Sequence, residues 1–351
     1  MLFPGRDFEK ASCRDASVDK NMLVDMFDKI SEDKLNIHSM VLLRDGAKIF
    51  DVYAEGFGPT IRKEVFSVSK SFTSLAIGIC QDMGYLSVDQ PVLPFFKNQV
   101  TQSNPGYEAL TIKHLLTMSV GHKVDYTDEW KKGVNVYDLF FQKPLDYPVG
   151  THFVYNNLAS FLLSAIVSKV TKKNLNDFLD EVLYSKIGIV KPIWDQVDGI
   201  SLGGWGLKLS VLDMARFGQL ILNEGYWKNE VIVSRAYVRE ATSFQIATTH
   251  VENPKDRYGY GYQFWINDFG DARAAGMFKQ YIVTNKEFGL VLAIQAYETK
   301  ELLDLFTSYI LPGFFKGWQY TPFSLRDYLY RFTQDSKELI AEEKKNRTIY
   351  D

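Results

Sequence analysis

Val65-Phe66-Ser67-Val68-Ser69-Lys70-Ser71-Phe72-Thr73-Ser74-Leu75-Ala76-Ile77-Gly78-Ile79-Cys80 sets a polar head on an apolar tail, and no proline interrupts the chain before Pro91. The spacing predicts a buried helix that begins at or just before Ser67 and ends near Gly84. Residues three apart on a helix share a face, so the Ser67 hydroxyl and the Lys70 amine can meet. A serine needs a base to become a nucleophile, and a lysine serves as one when burial lowers its pKa. The spacing alone does not decide. Ser17-Val18-Asp19-Lys20 and Ser31-Glu32-Asp33-Lys34 match it too, in polar surroundings where a lysine stays solvated. The plainer alternative for Ser67 is an N-cap serine followed by a surface lysine.

Working outward, the 351 residues suffice for one large domain or two intimate ones. The hydrophobic share of 46% and charged share of 24% are those of an ordinary globular chain. Tyr and Phe, 20 and 25 in number, suit either a ring-lined pocket or an aromatic core. A net charge of −3 gives no electrostatic footprint for nucleic acid or an anionic membrane. The first residues carry charges at once, without the apolar run of a signal peptide, and no stretch is long enough to span a bilayer. Cys13 and Cys80 lie in dissimilar surroundings, which argues against a structural disulfide, and the five histidines are scattered. The expectation is a cytoplasmic chain without metal or cofactor, acting on a small molecule, with no nucleic-acid or membrane partner; nothing sets its oligomeric state.

In chain order, 21–30 reads as an amphipathic helix, and 39–44 and 48–53 as strands of a hairpin turned at Asp45-Gly46. Helices are expected at 112–117, 136–141, 158–170 and 175–183, the last pair following a turn-rich loop, Pro148 to Asn157. That loop holds Tyr155 and Asn157, the single Tyr-x-Asn of the chain. A tyrosine beside a lysine can have its pKa depressed and relay a proton to or from a serine oxygen. An asparagine can hold a substrate carbonyl or steady the lysine. Against this stands a packed tyrosine with a capping Asn. Ser210 with Asp213 forms a capping box for a helix at 211–223, and a further helix is expected at 234–242. Strands are expected at 258–266, 277–284 and 290–296, then a helix at 301–311 and a charged helical tail beyond 326.

Four stretches in this order make the chain resemble the serine β-lactamase-related family, which includes class C-type β-lactamases, penicillin-recognising DD-peptidases, esterases and 6-aminohexanoate-dimer hydrolases. They are Phe66 to Phe72, Leu110 to Thr117, Pro148 to Asn157, and Gly203 to Leu220. The resemblance implies an α/β (α+β) fold of the β-lactamase/transpeptidase type, an antiparallel sheet flanked by helices with a large, mostly helical insertion. The expected division is 1–70 with 201–315 as the sheet domain, 71–200 as the insertion and 316–351 as a tail.

The resemblance also implies Ser67 as acylated nucleophile, Lys70 as its base and Tyr155 as a second proton-transfer group. Asn157 contacts substrate or Lys70. A family strand that usually bears Lys-Thr-Gly or His-x-Gly matches Ala274-Ala275-Gly276, where Gly276 allows close substrate approach and Met277 N–H joins that of Ser67 in an oxyanion hole. The cation is missing at Ala274, so a substrate carboxylate loses a charge-assisted partner. Lys279 nearby is expected to face outward. The implied activity is hydrolysis of a small ester or amide through an acyl-enzyme, of the carboxylesterase or amidase type. The rivals are a β-lactamase or DD-peptidase, and a sensor that is acylated without turnover.

Overall fold

A computed structural model describes residues 7–100, 102–317 and 325–346. The chain divides into two compact units, 1–63 with 209–222 and 276–351, and 64–208 with 223–275. This partition differs from the expected one. Residues 223–275 go with the helical part, as does Ser67 itself, because the Tyr237 hydroxyl and the Gln263 backbone carbonyl fasten to the helix that follows it.

In the first unit, strands Gln280–Asn285, Leu290–Ala296, Ile37–Arg44 and Ala47–Tyr53 lie side by side in that order, all antiparallel. Ile37–Arg44 and Leu290–Ala296 are buried along nearly their whole length because both faces of the sheet are covered. The Val211–Leu222 helix packs so closely that a Cβ at Gly218 would stand 2.5 Å from Val291. Phe27, on the Lys20–Glu32 helix, meets Phe50 edge-on with ring centroids 5.4 Å apart. The hairpin turns as expected at Asp45-Gly46, both at positive φ, the geometry whose twist matches paired strands. The Ser210–Asp213 box is present, each residue's backbone N–H donating to the other's side chain at 3.1 Å. Of the tail, Leu325–Asp335 and Lys337–Asn346 are helical; the other tail residues, 318–324 and 347–351, fall outside the described part.

Two expectations in this unit need correction. The 277–284 strand begins only at Gln280. Met277 to Lys279 form the turn, with Phe278 and Lys279 at φ 57° and 63°. These left-handed, non-glycine residues are held by the Gln280 amide, which donates to the carbonyls of Met277, Phe278 and Ala296. Nor does Lys279 face outward: its side chain is mostly buried and its ammonium donates to Glu301 Oε2 at 2.9 Å.

The second unit is built on two apolar helices, Ser69–Asp82 and Asn157–Thr171, packed together. Burying Phe72, Leu75, Ile77 and Ile79 contributes roughly 1.5–3 kcal/mol each. Gly78 is needed there, since a Cβ would stand 2.4 Å from the Tyr237 ring, whose hydroxyl donates to Ser74 O at 2.8 Å. Gln263 ties three segments: its amide donates to Leu115 O and Leu116 O, Ser160 Oγ donates to its side-chain oxygen, and Ser71 Oγ donates to its backbone carbonyl. The 258–266 stretch is therefore no long strand. Trp265–Ile266 is a two-residue strand paired with Arg273 and Ala272, and Tyr260 makes isolated bridges to Ile246 and Trp265. Gly259 at φ 118° and Gln263 at φ 63° turn the chain, tucking the Tyr260 and Tyr262 rings inward. Among the described residues, no helix is long and apolar enough to cross a membrane.

Candidate active site

Ser67 sits in a 3-10 turn, Phe66–Val68, that leads directly into the Ser69–Asp82 helix. The α-helix starts two residues later than expected, yet Ser67 and Lys70 remain one turn apart. Ser67 does not cap it; Val68 occupies that position without a side-chain bond. Phe66 is held at φ 47°, a costly conformation for a bulky residue, directly before the serine. The Ser69 hydroxyl donates to Phe66 O at 2.5 Å and fastens this strained turn.

Lys70 is 1% exposed, and its amine lies 3.1 Å from Ser67 Oγ, 2.7 Å from Asn157 Oδ1 and 2.8 Å from Gly204 O. Burial pulls its pKa down to about 7, opposed in part by the Asp125 carboxylate. Three oxygens around one nitrogen suit an ammonium, but they are not equivalent. Gly204 O and Asn157 Oδ1 can only accept, whereas the serine hydroxyl can also donate. When Lys70 is neutral, two N–H groups point at the carbonyls and the lone pair is left for the Ser67 proton. Gly204 makes the carbonyl contact possible: a Cβ there would crowd Lys70 Nζ at 3.2 Å and Ser160 at 3.3 Å. Thr73 donates to the neighbouring Gly203 O at 2.7 Å, anchoring this backbone to the same helix.

Tyr155 stands within reach of Ser67, and Lys70 Nζ lies 4.8 Å from its ring centroid. The expected depression of its pKa is not found. Burial pushes the phenol well above its ordinary value, opposed by the Ser67 hydroxyl and helped by Asp256 and Asp125, so at neutral pH it keeps its proton. The Trp265 ring runs parallel to it at 5.9 Å, and Tyr260 meets it edge-on.

Asn157 is the first residue of its helix, while Asn156 does the capping, accepting from Ala159 N–H at 3.0 Å. The capping alternative thus belongs to the neighbour. The Asn157 amide nitrogen donates to Asp125 Oδ2 at 2.6 Å, turning its oxygen toward Lys70. Asp125 was not singled out from sequence; its one signal is Asp125-Tyr126-Thr127, an Asp two residues ahead of a threonine that binds it, at 2.8 Å and 2.9 Å.

Ser67, Lys70, Tyr155 and Asn157 are thus brought together inside the second unit. Gly276 closes the strand Ala272–Gly276 and Met277 opens the following turn; both belong to the first unit. Ala274 is a buried strand residue. Among the described residues, no group of three or more His, Cys, Asp or Glu side chains is placed to hold a metal ion.

Comparison with known proteins agrees with this arrangement of elements. The chain is similar to the 6-aminohexanoate-dimer hydrolase of Paenarthrobacter ureafaciens, 23% identical over 57% of this chain and 55% of that protein. It is also similar to Protein flp of Staphylococcus aureus strain MW2, 30% identical over 35% of this chain and 26% of that one. The matched part therefore spans about half, or about a quarter, of these relatives' length. Among solved structures, a putative 6-aminohexanoate-dimer hydrolase from Bacillus anthracis superposes with a TM-score of 0.69 at 19% identity, covering 87% of this chain and 86% of that one. The octameric penicillin-binding protein homologue from Pyrococcus abyssi gives 0.65 at 21%, covering 84% and 77%. These two likenesses speak for the fold, an antiparallel sheet with helices of the β-lactamase/transpeptidase type. The Beta-lactamase family model matches residues 38–302, three quarters of the sequence, a span that includes Ser67, Lys70, Tyr155 and Asn157, and the chain belongs to that family.

Proposed function

We propose that this protein is a serine hydrolase that cleaves a small ester or amide through an acyl-enzyme on Ser67. The observation that carries the reading is the buried Lys70 amine, whose only neighbour among three able to give it a proton is the Ser67 hydroxyl. In this reading neutral Lys70 takes the Ser67 proton as Oγ attacks the substrate carbonyl. The Ser67 amide, at the head of a long helix, donates to the developing oxyanion. Tyr155, still protonated, gives its proton to the leaving oxygen or nitrogen as the carbonyl–heteroatom bond breaks, and the Lys70 ammonium returns a proton to the phenolate. Water then attacks the acyl-enzyme; the same groups withdraw its proton and restore it to Ser67 Oγ as the acid departs. Each proton-transfer group of this kind is worth roughly 10²–10⁴ in rate.

An ester or amide fits better than a β-lactam. Ala274 offers no charge to a substrate carboxylate, and the Lys279 ammonium is already engaged by Glu301. The 6-aminohexanoate-dimer hydrolase name of one relative is in keeping with an amide substrate. The test is turnover of p-nitrophenyl acetate and butyrate, a panel of short amides and nitrocefin by wild type and Ser67→Ala. Ester or amide turnover lost in the variant, with little nitrocefin hydrolysis, supports the reading. Fast nitrocefin hydrolysis favours a β-lactamase, and a stable adduct without product favours a sensor.

A further inference from the structure

The geometry points to Asp125 as a positioning residue that works through Asn157: by fixing which end of the Asn157 amide faces Lys70, it leaves the Lys70 lone pair for Ser67. This rests on the assignment of Ser67 and Lys70 above and adds a residue to it.

An asparagine amide can present either oxygen or nitrogen, and the two ends have opposite effects on a neighbouring amine. With oxygen toward Lys70, one N–H of the amine is consumed and the lone pair stays available. With nitrogen toward Lys70, the amide donates to that lone pair and competes with the serine proton. Asp125 decides between them. Its carboxylate can only accept, it lies 2.6 Å from Asn157 Nδ2, and its other oxygen lies 3.3 Å from the Asn157 backbone N–H. A flipped amide would set two acceptors against each other there. Asp125 is itself fixed by the Thr127 hydroxyl, which is within 2.9 Å of both carboxylate oxygens. The path Thr127, Asp125, Asn157, Lys70, Ser67 is thus continuous, each link inside hydrogen-bonding range.

The carboxylate has a second effect. Among the described residues, the titratable groups facing Lys70 are Tyr155, from the loop ahead of the Asn157–Thr171 helix, and Asp125, from the loop after Ile112–Leu116; Gly204, Asn157 and Ser67 are neutral. Tyr155 keeps its proton through the neutral range, so Asp125 supplies the negative charge that opposes burial at Lys70. Removing that charge lets Lys70 lose its proton at lower pH.

The experiment is the rate at which a fluorophosphonate labels Ser67, followed by intact mass across the neutral range in wild type, Asp125→Asn, Asp125→Ala and Ser67→Ala. In Asp125→Asn the side-chain oxygen can still receive the Asn157 amide, but the charge is gone. The rising limb moves to lower pH by roughly half a unit to one unit, while the plateau stays within about threefold. In Asp125→Ala the amide is released, and the plateau falls by about tenfold or more as well. A residue that only supports the fold would lower melting temperature without moving the limb, so thermal melts accompany each variant. Should Asp125→Ala not fold, the near-isosteric Asn variant carries the test. An unmoved limb in Asp125→Asn overturns the proposal, as does an Asp125→Ala plateau equal to wild type. Labelling that persists in Ser67→Ala overturns the Ser67 assignment and this inference with it, an outcome recognised from that control alone.

Discussion

Three Ser-x-x-Lys sequences occur in this chain, and they end in different physical states. Ser17 is an exposed turn residue at φ 52°, and Lys20 opens the Lys20–Glu32 helix in a part-exposed position. Ser31 lies near the end of that helix, where its hydroxyl donates to Asp335 at 2.9 Å, and Lys34 is exposed at φ 50°. At Ser67 the same spacing stands at the head of a helix buried over twelve consecutive residues, and the lysine is enclosed by three oxygens. Spacing brings a hydroxyl and an amine to one face. Only burial, with acceptors that leave the lone pair free, turns that proximity into a base.

The comparison can be broken most forcefully at its centre. Ser67→Ala is expected to lower kcat/KM by about 10³–10⁶, and Lys70→Ala by a similar factor, read on whichever ester or amide turns over. Tyr155→Phe, which removes the proton donor and keeps the ring, is expected to cost about 10²–10⁴ in kcat. Gly204→Ala puts a methyl group against Lys70 Nζ and is expected to lower kcat by roughly tenfold with the fold retained by circular dichroism. Ser17→Ala and Ser31→Ala are expected to stay within about twofold of wild type, because a surface change is worth only ~0.5 kcal/mol.

Stability gives an independent check. Folded Lys70 titrates near about 7 against an ordinary value of 10.5. Between those values the unfolded chain holds one more proton than the folded one, so the stability due to this group rises with pH across that window. Below it both states are protonated and the buried ammonium exacts its full cost. Lys70→Met is therefore expected to be inactive, and its stability relative to wild type to be highest at mildly acid pH and to fall toward alkaline pH. Chemical denaturation at several pH values measures this.

How much of this was legible in the residues follows from the same physics. The Ser67 helix, Tyr155 and Asn157 could be read because an apolar run predicts burial, and burial is what gives the polar residues their chemistry. Asp125 could not, since its role depends on a loop meeting Asn157 thirty-two positions later. Proximity to a lysine suggests a depressed tyrosine pKa, but desolvation of the buried phenol outweighs it. The Tyr258 to Ile266 run looked like a strand because alternating rings mimic a two-residue period. A Cβ at Gly261, however, would meet Ala241 O at 2.1 Å, and the chain there bends around that close backbone approach. The turn at Phe278-Lys279 carries neither Gly nor Asn; the Gln280 amide that holds it is in turn fixed by a tertiary partner, Ala296 O.

The most direct test lets the three serines compete. Wild-type protein is treated with a fluorophosphonate at several pH values, digested, and the labelled residue identified by peptide mass. The account predicts a single adduct on Ser67, at a rate that climbs through about pH 7 as Lys70 loses its proton. A label on Ser17 or Ser31, no label at all, or a Ser67 rate indifferent to pH in that range would contradict it.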